Sequence, residues 1–148
     1  MLHTFSSKGT GNLKEIAETD TKSLYWFEKE HNTGWYKFQI RADVEVTLSI
    51  EPTNQTDDID FVLFKYDEDG FCDRIKAKKL LPVRSNLARS NASTGLKTDA
   101  SADFAHSGPG DPFSKSISAK KNEVFYLVVD NVNGTGEYSM QIELGEKF

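Results

Sequence analysis

The chain has one cysteine and no long apolar run, and each scarcity excludes a class of protein or site. Cys72, the single cysteine among 148 residues, excludes an intrachain disulfide and a cysteine-rich zinc site. It is expected to be a partly buried apolar residue. No apolar run approaches the roughly 18 residues of a membrane-spanning helix, and the first residues lack the pattern of a signal peptide. The chain is therefore expected to be cytoplasmic or a domain of a larger exported protein.

Basic surfaces and catalytic motifs are also missing. The net charge of −5 disfavours a nucleic-acid binder, for which a basic stripe is expected. There is no GxSxG motif and no phosphate-binding glycine loop, and the three histidines lie far apart in the sequence. The chain is therefore predicted not to be an enzyme, with an undetected hydrolase as an alternative.

What the chain does contain is strand-forming sequence. Two Trp, five Tyr and ten Phe offset a hydrophobic fraction of 37%. Residues 35–41, 44–50 and 136–144 alternate between apolar and polar side chains, which is typical of half-buried antiparallel strands. Residues 59–66 and 124–129 are nearly continuous apolar runs, which indicate central strands covered on both faces.

Weaker patterns complete the predicted fold. Strands are predicted at residues 24–28, 83–87 and 113–119, a short helix or a surface loop at 73–80, and a hairpin turn at Asn133-Gly134. We predict a single all-β domain over residues 1–148, an antiparallel β-sandwich of jelly-roll type with about eight strands. The predicted core consists of apolar residues on the inward faces of the strands: Tyr36, Phe38, Val46, Leu48, Phe61, Leu63, Phe125, Leu127 and Val129.

Acidic residues at the ends of the two predicted central strands suggest a metal site. Asp58 and Asp60 lie at the start of one of these strands, and Asp130 ends the other. Calcium prefers carboxylate and carbonyl oxygens on loops. These three residues are the predicted ligands if calcium is a cofactor, and a set of structural turns is the alternative.

The segment "HSGPGDPFSK", residues 106–115, predicts a rigid loop, because its prolines fix φ and its glycines permit close approach. If it meets the other polar segments, Arg84, Asn86, His106 and Asn131 form a polar shelf suited to a carboxylate or sugar hydroxyls. In the alternative, Arg84 only ties the loop down through backbone carbonyls.

Six motifs occur together: "WYKFQI", "DDIDFVLFKYD", "PVRSNLAR", "TGL", "HSGPGDPFSKSI" and "VFYLVVDNV". As a set, spanning roughly residues 5–144, they resemble the N-terminal β-sandwich module of Bacteroidetes envelope proteins that end in an OmpA-type domain. More distantly, the chain is similar to the bacterial pre-peptidase C-terminal domain. The resemblance implies a loop at 106–115 that packs near Arg84–Asn86 and the end of the "VVDN" strand.

The resemblance also implies a non-catalytic accessory module, exported to the periplasm, outer membrane or cell surface. The expected function is binding or adhesion at the cell envelope, with a glycan or an envelope protein as partner and no direct membrane insertion. A structural spacer without a ligand is the alternative. Exposure of Trp26 or Trp35 on a flat face would favour carbohydrate binding, because sugar rings stack on aromatic rings, whereas burial of both would favour the spacer.

Overall fold

The computed structural model describes residues 2–7, 25–27, 29–89, 92–133 and 137–146, and within these ranges the chain forms ten strands and one short helix. The helix, α1, spans Phe71–Lys76. In chain order the strands are β1 Leu2–Ser7, β2 Thr33–Gln39, β3 Val44–Pro52, β4 Ile59–Lys65, β5 Arg84–Asn86, β6 Thr94–Lys97, β7 Phe113–Lys115, β8 Ile117–Ala119, β9 Val124–Asn131 and β10 Tyr138–Glu146.

Two sheets pack face to face, which confirms the predicted all-β sandwich. The six-stranded sheet has the order β1-β10-β3-β6-β7, with β8 paired to β3, and the four-stranded sheet has the order β2-β9-β4-β5. All pairs are antiparallel except β6 with β7. The run predicted as one strand at 113–119 divides at Ser116, where the chain changes its partner from β6 to β3.

The main core lies between the sheets and is built by the predicted alternation. Val46, Leu48 and Ile50 on β3 are buried and pack with residues of β4 and β9. Every residue of the predicted core lies in this layer, but Tyr36 and Phe38 are only partly buried. The reason is that β2 is the end strand of the four-stranded sheet as described, so its side chains have a sheet neighbour on one side only.

A second apolar layer covers the outer face of the four-stranded sheet. Val62 and Phe64 of β4 and Val128 of β9 pack with Phe71 and Ile75 of α1, and with Trp26 and Phe27. This layer explains why β4 and β9 have nearly continuous apolar sequences, and it confirms that both faces of these strands are covered.

A short helix is present as one of the two alternatives predicted, but its bounds and several other local predictions are wrong. The helix begins at Phe71 and ends at Lys76, so it lies earlier in the chain than residues 73–80. Residues 25–27 are not a strand, and Leu24 and Glu28 lie outside the described residues. Strands β9 and β10 belong to different sheets, so they do not form a hairpin, and Gly134 of the predicted turn is outside the described residues. Cys72 is exposed.

No helix among the described residues is long and apolar enough to cross a membrane.

Candidate functional site

Arg84 joins β5 to the connection between β7 and β8. Its Nε donates to the carbonyl of Lys115 at 2.8 Å, Nη1 to the carbonyl of Val83 at 2.7 Å, and Nη2 to the carbonyl of Ser116 at 3.0 Å. The guanidinium also lies 3.6 Å from Asp103 Oδ1. These bonds direct the guanidinium to backbone carbonyls, one at Lys115, the last residue of the 106–115 segment, and the others at Ser116 and Val83.

Asn86 is another side chain that bonds to the loop. This buried amide donates from Nδ2 to the carbonyl of Asp111 at 2.9 Å and to Ser114 Oγ at 3.1 Å, and its Oδ1 accepts from Ala88 N. Backbone bonds extend the contact, since Arg89 N donates to the carbonyl of Gly108 at 2.7 Å. The loop therefore packs along the segment that follows β5.

The side chains of the other two predicted binding residues bond to other partners. His106 is exposed, and its ring Nδ1 bonds to the carbonyl of Ser107 at 2.7 Å. Asn131 is buried at the end of β9 and donates to Asp57 Oδ2 at 2.9 Å. Because β4 lies between β9 and β5, Asn131 and Asn86 are held on opposite sides of a strand, each bonded to a different loop.

Two of the three predicted metal ligands lie next to each other in the structure. Asp60 and Asp130 are direct cross-strand partners on β4 and β9. The buried carboxylate of Asp130 already accepts bonds from His31 N at 3.0 Å, Asn32 N at 2.8 Å and His31 Nδ1 at 2.8 Å. The backbone carbonyl of Asp58 accepts a hydrogen bond from Val132 N. Over the described part of the chain, no group of three or more His, Cys, Asp or Glu residues has an arrangement that could hold a metal ion.

An open cleft lies on the outer face of the four-stranded sheet, beside the start of α1. Its volume is about 390 Å³, within the range of about 300–1,000 Å³ typical of ligand sites. Trp35 reaches it from β2 and Tyr126 from β9, and both rings are partly exposed. The described residues that line this aromatic cleft are Trp35, Tyr66, Glu68, Gly70, Phe71, Cys72, Asp73 and Tyr126.

The aromatic rings of the cleft brace one another. The Phe71 ring lies 5.1 Å from Tyr66 and 5.2 Å from Tyr126, centroid to centroid. Trp35 stacks on the buried Phe64 with an interplanar angle of 5° and meets Tyr126 edge-on. Contacts of this kind hold aromatic rings in defined orientations. The aromatic lining of the cleft therefore consists of rings that pack against one another.

The chain reaches the cleft through a turn that glycine permits. Gly70 has φ of 60° and immediately precedes α1, and a Cβ there would have no atom within 4 Å. The left-handed conformation at Gly70 turns the chain into α1 and places Phe71 against the sheet.

The rim of the cleft is acidic. Glu68 and Asp73 are exposed carboxylates among the lining residues, which include no lysine, arginine or histidine in the described part of the chain. The nearby Arg74 is directed elsewhere, because its guanidinium bonds to the carboxylate of Asp67 and to the carbonyl of Asp69. Glu68 and Asp73 are therefore the charged residues among those that line the cleft, and the Lys37 ammonium lies nearby, 5.9 Å from the centroid of the Tyr126 ring.

Sequence patterns reveal only part of this cleft. Trp35 was identified as a candidate sugar-stacking residue, and it is partly exposed, whereas Trp26 is only 7% exposed. Tyr66 and Tyr126 belong to apolar runs assigned to covered strands. The tyrosines among aliphatic residues were the available signal, because a hydroxyl favours a position near water.

Comparisons with known proteins give no assignment. No protein-family model matches the chain, and the search of curated proteins found no match.

Proposed function

We propose that the chain is a non-catalytic glycan-binding module, with its ligand bound in the aromatic cleft. The observation that carries the proposal is the set of partly exposed rings, Trp35, Tyr66 and Tyr126, around an open cleft of about 390 Å³. Sugar rings carry C–H groups on their faces, and these groups pack against aromatic rings while the hydroxyls remain available to polar partners.

The cellular setting is part of the same proposal. The six sequence motifs resemble an exported module of Bacteroidetes envelope proteins, so the partner we propose is a glycan of the bacterial envelope or of its surroundings. The module would act in the periplasm, at the outer membrane or at the cell surface. Its role would be attachment rather than chemistry.

A structural spacer is the competing function, and one observation favours it. Arg84, Asn86 and Asn131, the polar residues predicted to bind a ligand, all form hydrogen bonds within the protein. These bonds stabilise the loops that they join. The function of a spacer needs only such internal contacts, whereas glycan binding also needs the aromatic cleft on the outer face of the four-stranded sheet.

Calorimetric titration with soluble neutral, acidic and amine-bearing oligosaccharides separates the two functions. We expect saturable binding of at least one of them. Trp35→Ala should weaken it by at least about tenfold, or about 1.4 kcal/mol. Phe113→Ala is the matched control, because Phe113 is a partly exposed ring on the other sheet and should leave the affinity unchanged.

The proposal is overturned if none of the oligosaccharides binds. It is also overturned if a Trp35→Ala protein with an unaltered melting temperature binds as tightly as the wild type.

A further inference from the structure

We infer that the ligand of the aromatic cleft carries a positively charged amino group, and that its class is an oligosaccharide of amino sugars with free amines. This inference rests on the proposed glycan-binding function and names its substrate class. Two independent features of the cleft, its charge and its aromatic faces, favour a cation over a neutral or acidic sugar.

The charge of the lining is the first feature. Glu68 and Asp73 give the cleft two carboxylates, and no described lining residue carries a positive charge. Because Arg74 is held by Asp67 and the carbonyl of Asp69, it does not compensate these carboxylates from the α1 side. An acidic sugar entering here would meet like charge, whereas an ammonium group would gain a charge-assisted hydrogen bond.

The aromatic faces are the second feature. The face of an aromatic ring attracts cations through the negative charge of its π system, most strongly for Trp and next for Tyr. The cleft holds Trp35 together with two tyrosines. The Tyr126 ring already has such a partner within the protein, because the Lys37 ammonium lies 5.9 Å from its centroid. A ligand ammonium would meet the same kind of surface at Trp35 and Tyr66.

The combination specifies the ligand more closely than either feature does. The rings accommodate the faces of sugar rings, and the carboxylates at the rim accommodate an amine on the same sugar. A cleft of about 390 Å³ that is open at the surface suits a short stretch of a longer chain rather than an enclosed small molecule. Glucosamine oligomers combine these properties, and their N-acetylated counterparts lack only the charge.

The test compares two probes that differ in this charge, the glucosamine tetramer and the N-acetylglucosamine tetramer, by calorimetry at mildly acidic pH. We expect the amine form to bind at least about tenfold more tightly. This preference should shrink as the salt concentration rises from about 0.01 M to 1 M, because the rim carboxylates are exposed and salt screens them.

Two variants connect the preference to the cleft. Glu68→Gln combined with Asp73→Asn should reduce the ratio of the two affinities towards one. The matched control is Asp99→Asn combined with Glu137→Gln, which removes the same charge from exposed positions that do not line the cleft and should preserve the ratio.

Cys72 supplies an independent reporter of where the probe binds, because this exposed thiol lines the cleft and is the only cysteine in the sequence. The rate of its alkylation by iodoacetamide should fall when the glucosamine tetramer is bound, and rise again when the tetramer is diluted out.

The outcomes separate this inference from the proposed function. Equal affinity for both tetramers, or binding only of a sugar without an amine, overturns the cation inference and leaves glycan binding in place. Binding that neither protects Cys72 nor responds to the Glu68/Asp73 substitutions shows general charge attraction and also overturns the inference. If no oligosaccharide binds at all, both the cation inference and the proposed glycan-binding function are overturned.

Discussion

At the scale of single residues, the hydroxyl of Tyr138 illustrates how the sandwich accommodates a polar atom in its core. The Tyr138 side chain is fully buried, and its hydroxyl bonds to the hydroxyl of Tyr36 at 2.8 Å. Gly34 leaves room for this pair, since a Cβ there would lie 3.0 Å from both hydroxyl oxygens. Burial, and next the bond to Tyr36, raise the pKa of Tyr138 far above its ordinary range, because both disfavour a buried phenolate.

Because the pKa of Tyr138 is raised in the folded protein, we expect the free energy of unfolding to fall at alkaline pH. In the unfolded chain this tyrosine releases its proton near pH 10, whereas in the folded protein it keeps the proton. The stabilising effect is complete below about pH 10 and is lost as the pH rises further, by about 1.4 kcal/mol for each pH unit. Urea unfolding across this range should show a steeper decline for the wild type than for Tyr138→Phe. Parallel declines would contradict the assignment.

At the scale of elements, the pairing of β6 with β3 depends on a glycine. Gly95 has φ of 151° and lies opposite Ser49 on β3. A Cβ at this position would lie 2.0 Å from the carbonyl oxygen of Leu48, which is a backbone atom that cannot move without displacing β3. Since β6 also carries the parallel partner β7, this contact governs that side of the six-stranded sheet.

Gly95→Ala should therefore lower the free energy of unfolding by about 2–4 kcal/mol, through backbone strain and displacement of β6. Gly70→Ala is the matched control, because Gly70 has positive φ but open space around it. It should cost only about 1–2 kcal/mol, the strain of the left-handed conformation itself. Chemical denaturation measures both values, and equal losses would show that the approach to Leu48 does not matter.

At the scale of the whole molecule, the four-stranded sheet is the central layer of three. One of its faces packs on the six-stranded sheet, and its other face packs under α1 and residues 25–27. Leu127 and Val128 are neighbours on β9, both fully buried, and they belong to different layers. The aromatic cleft lies where the outer layer ends, so its rings are held by the same packing that stabilises the fold.

Leu127→Ala should lower the free energy of unfolding by about 2–5 kcal/mol, because the substitution removes buried apolar surface and leaves a cavity between the sheets. Val128→Ala should also destabilise the protein, through the outer layer. Thr47→Ala, on the partly exposed face of β3, should change stability by less than about 0.5 kcal/mol. An unaltered melting temperature for Leu127→Ala would contradict the position of Leu127 in the core.

The polar predictions show where sequence patterns stop being informative. Arg84 was correctly placed on a short strand, but its main-chain partners at residues 115 and 116 lie more than 30 positions away. Asn131 bonds to Asp57, 74 positions earlier. Such partners depend on which strands pair, and strand pairing leaves little trace in the local sequence. The wrong hairpin at Asn133 has the same cause, because local turn chemistry does not reveal that β9 and β10 enter different sheets.

The sequence by itself determined the all-β class, the inward faces of β3 and β10, and the two central strands, because alternation and apolar runs are local properties of an extended backbone. Only the tertiary structure decided the aromatic cleft. Trp35, Tyr66 and Tyr126 are far apart in the chain. The register places Lys37 and Phe64 opposite Tyr126, and Trp35 and Tyr66 are each two residues along the chain from one of these, so the three rings meet, with α1 closing one side of the cleft. Register follows from the packing of all strands together, so a site built across it exists only in the folded protein.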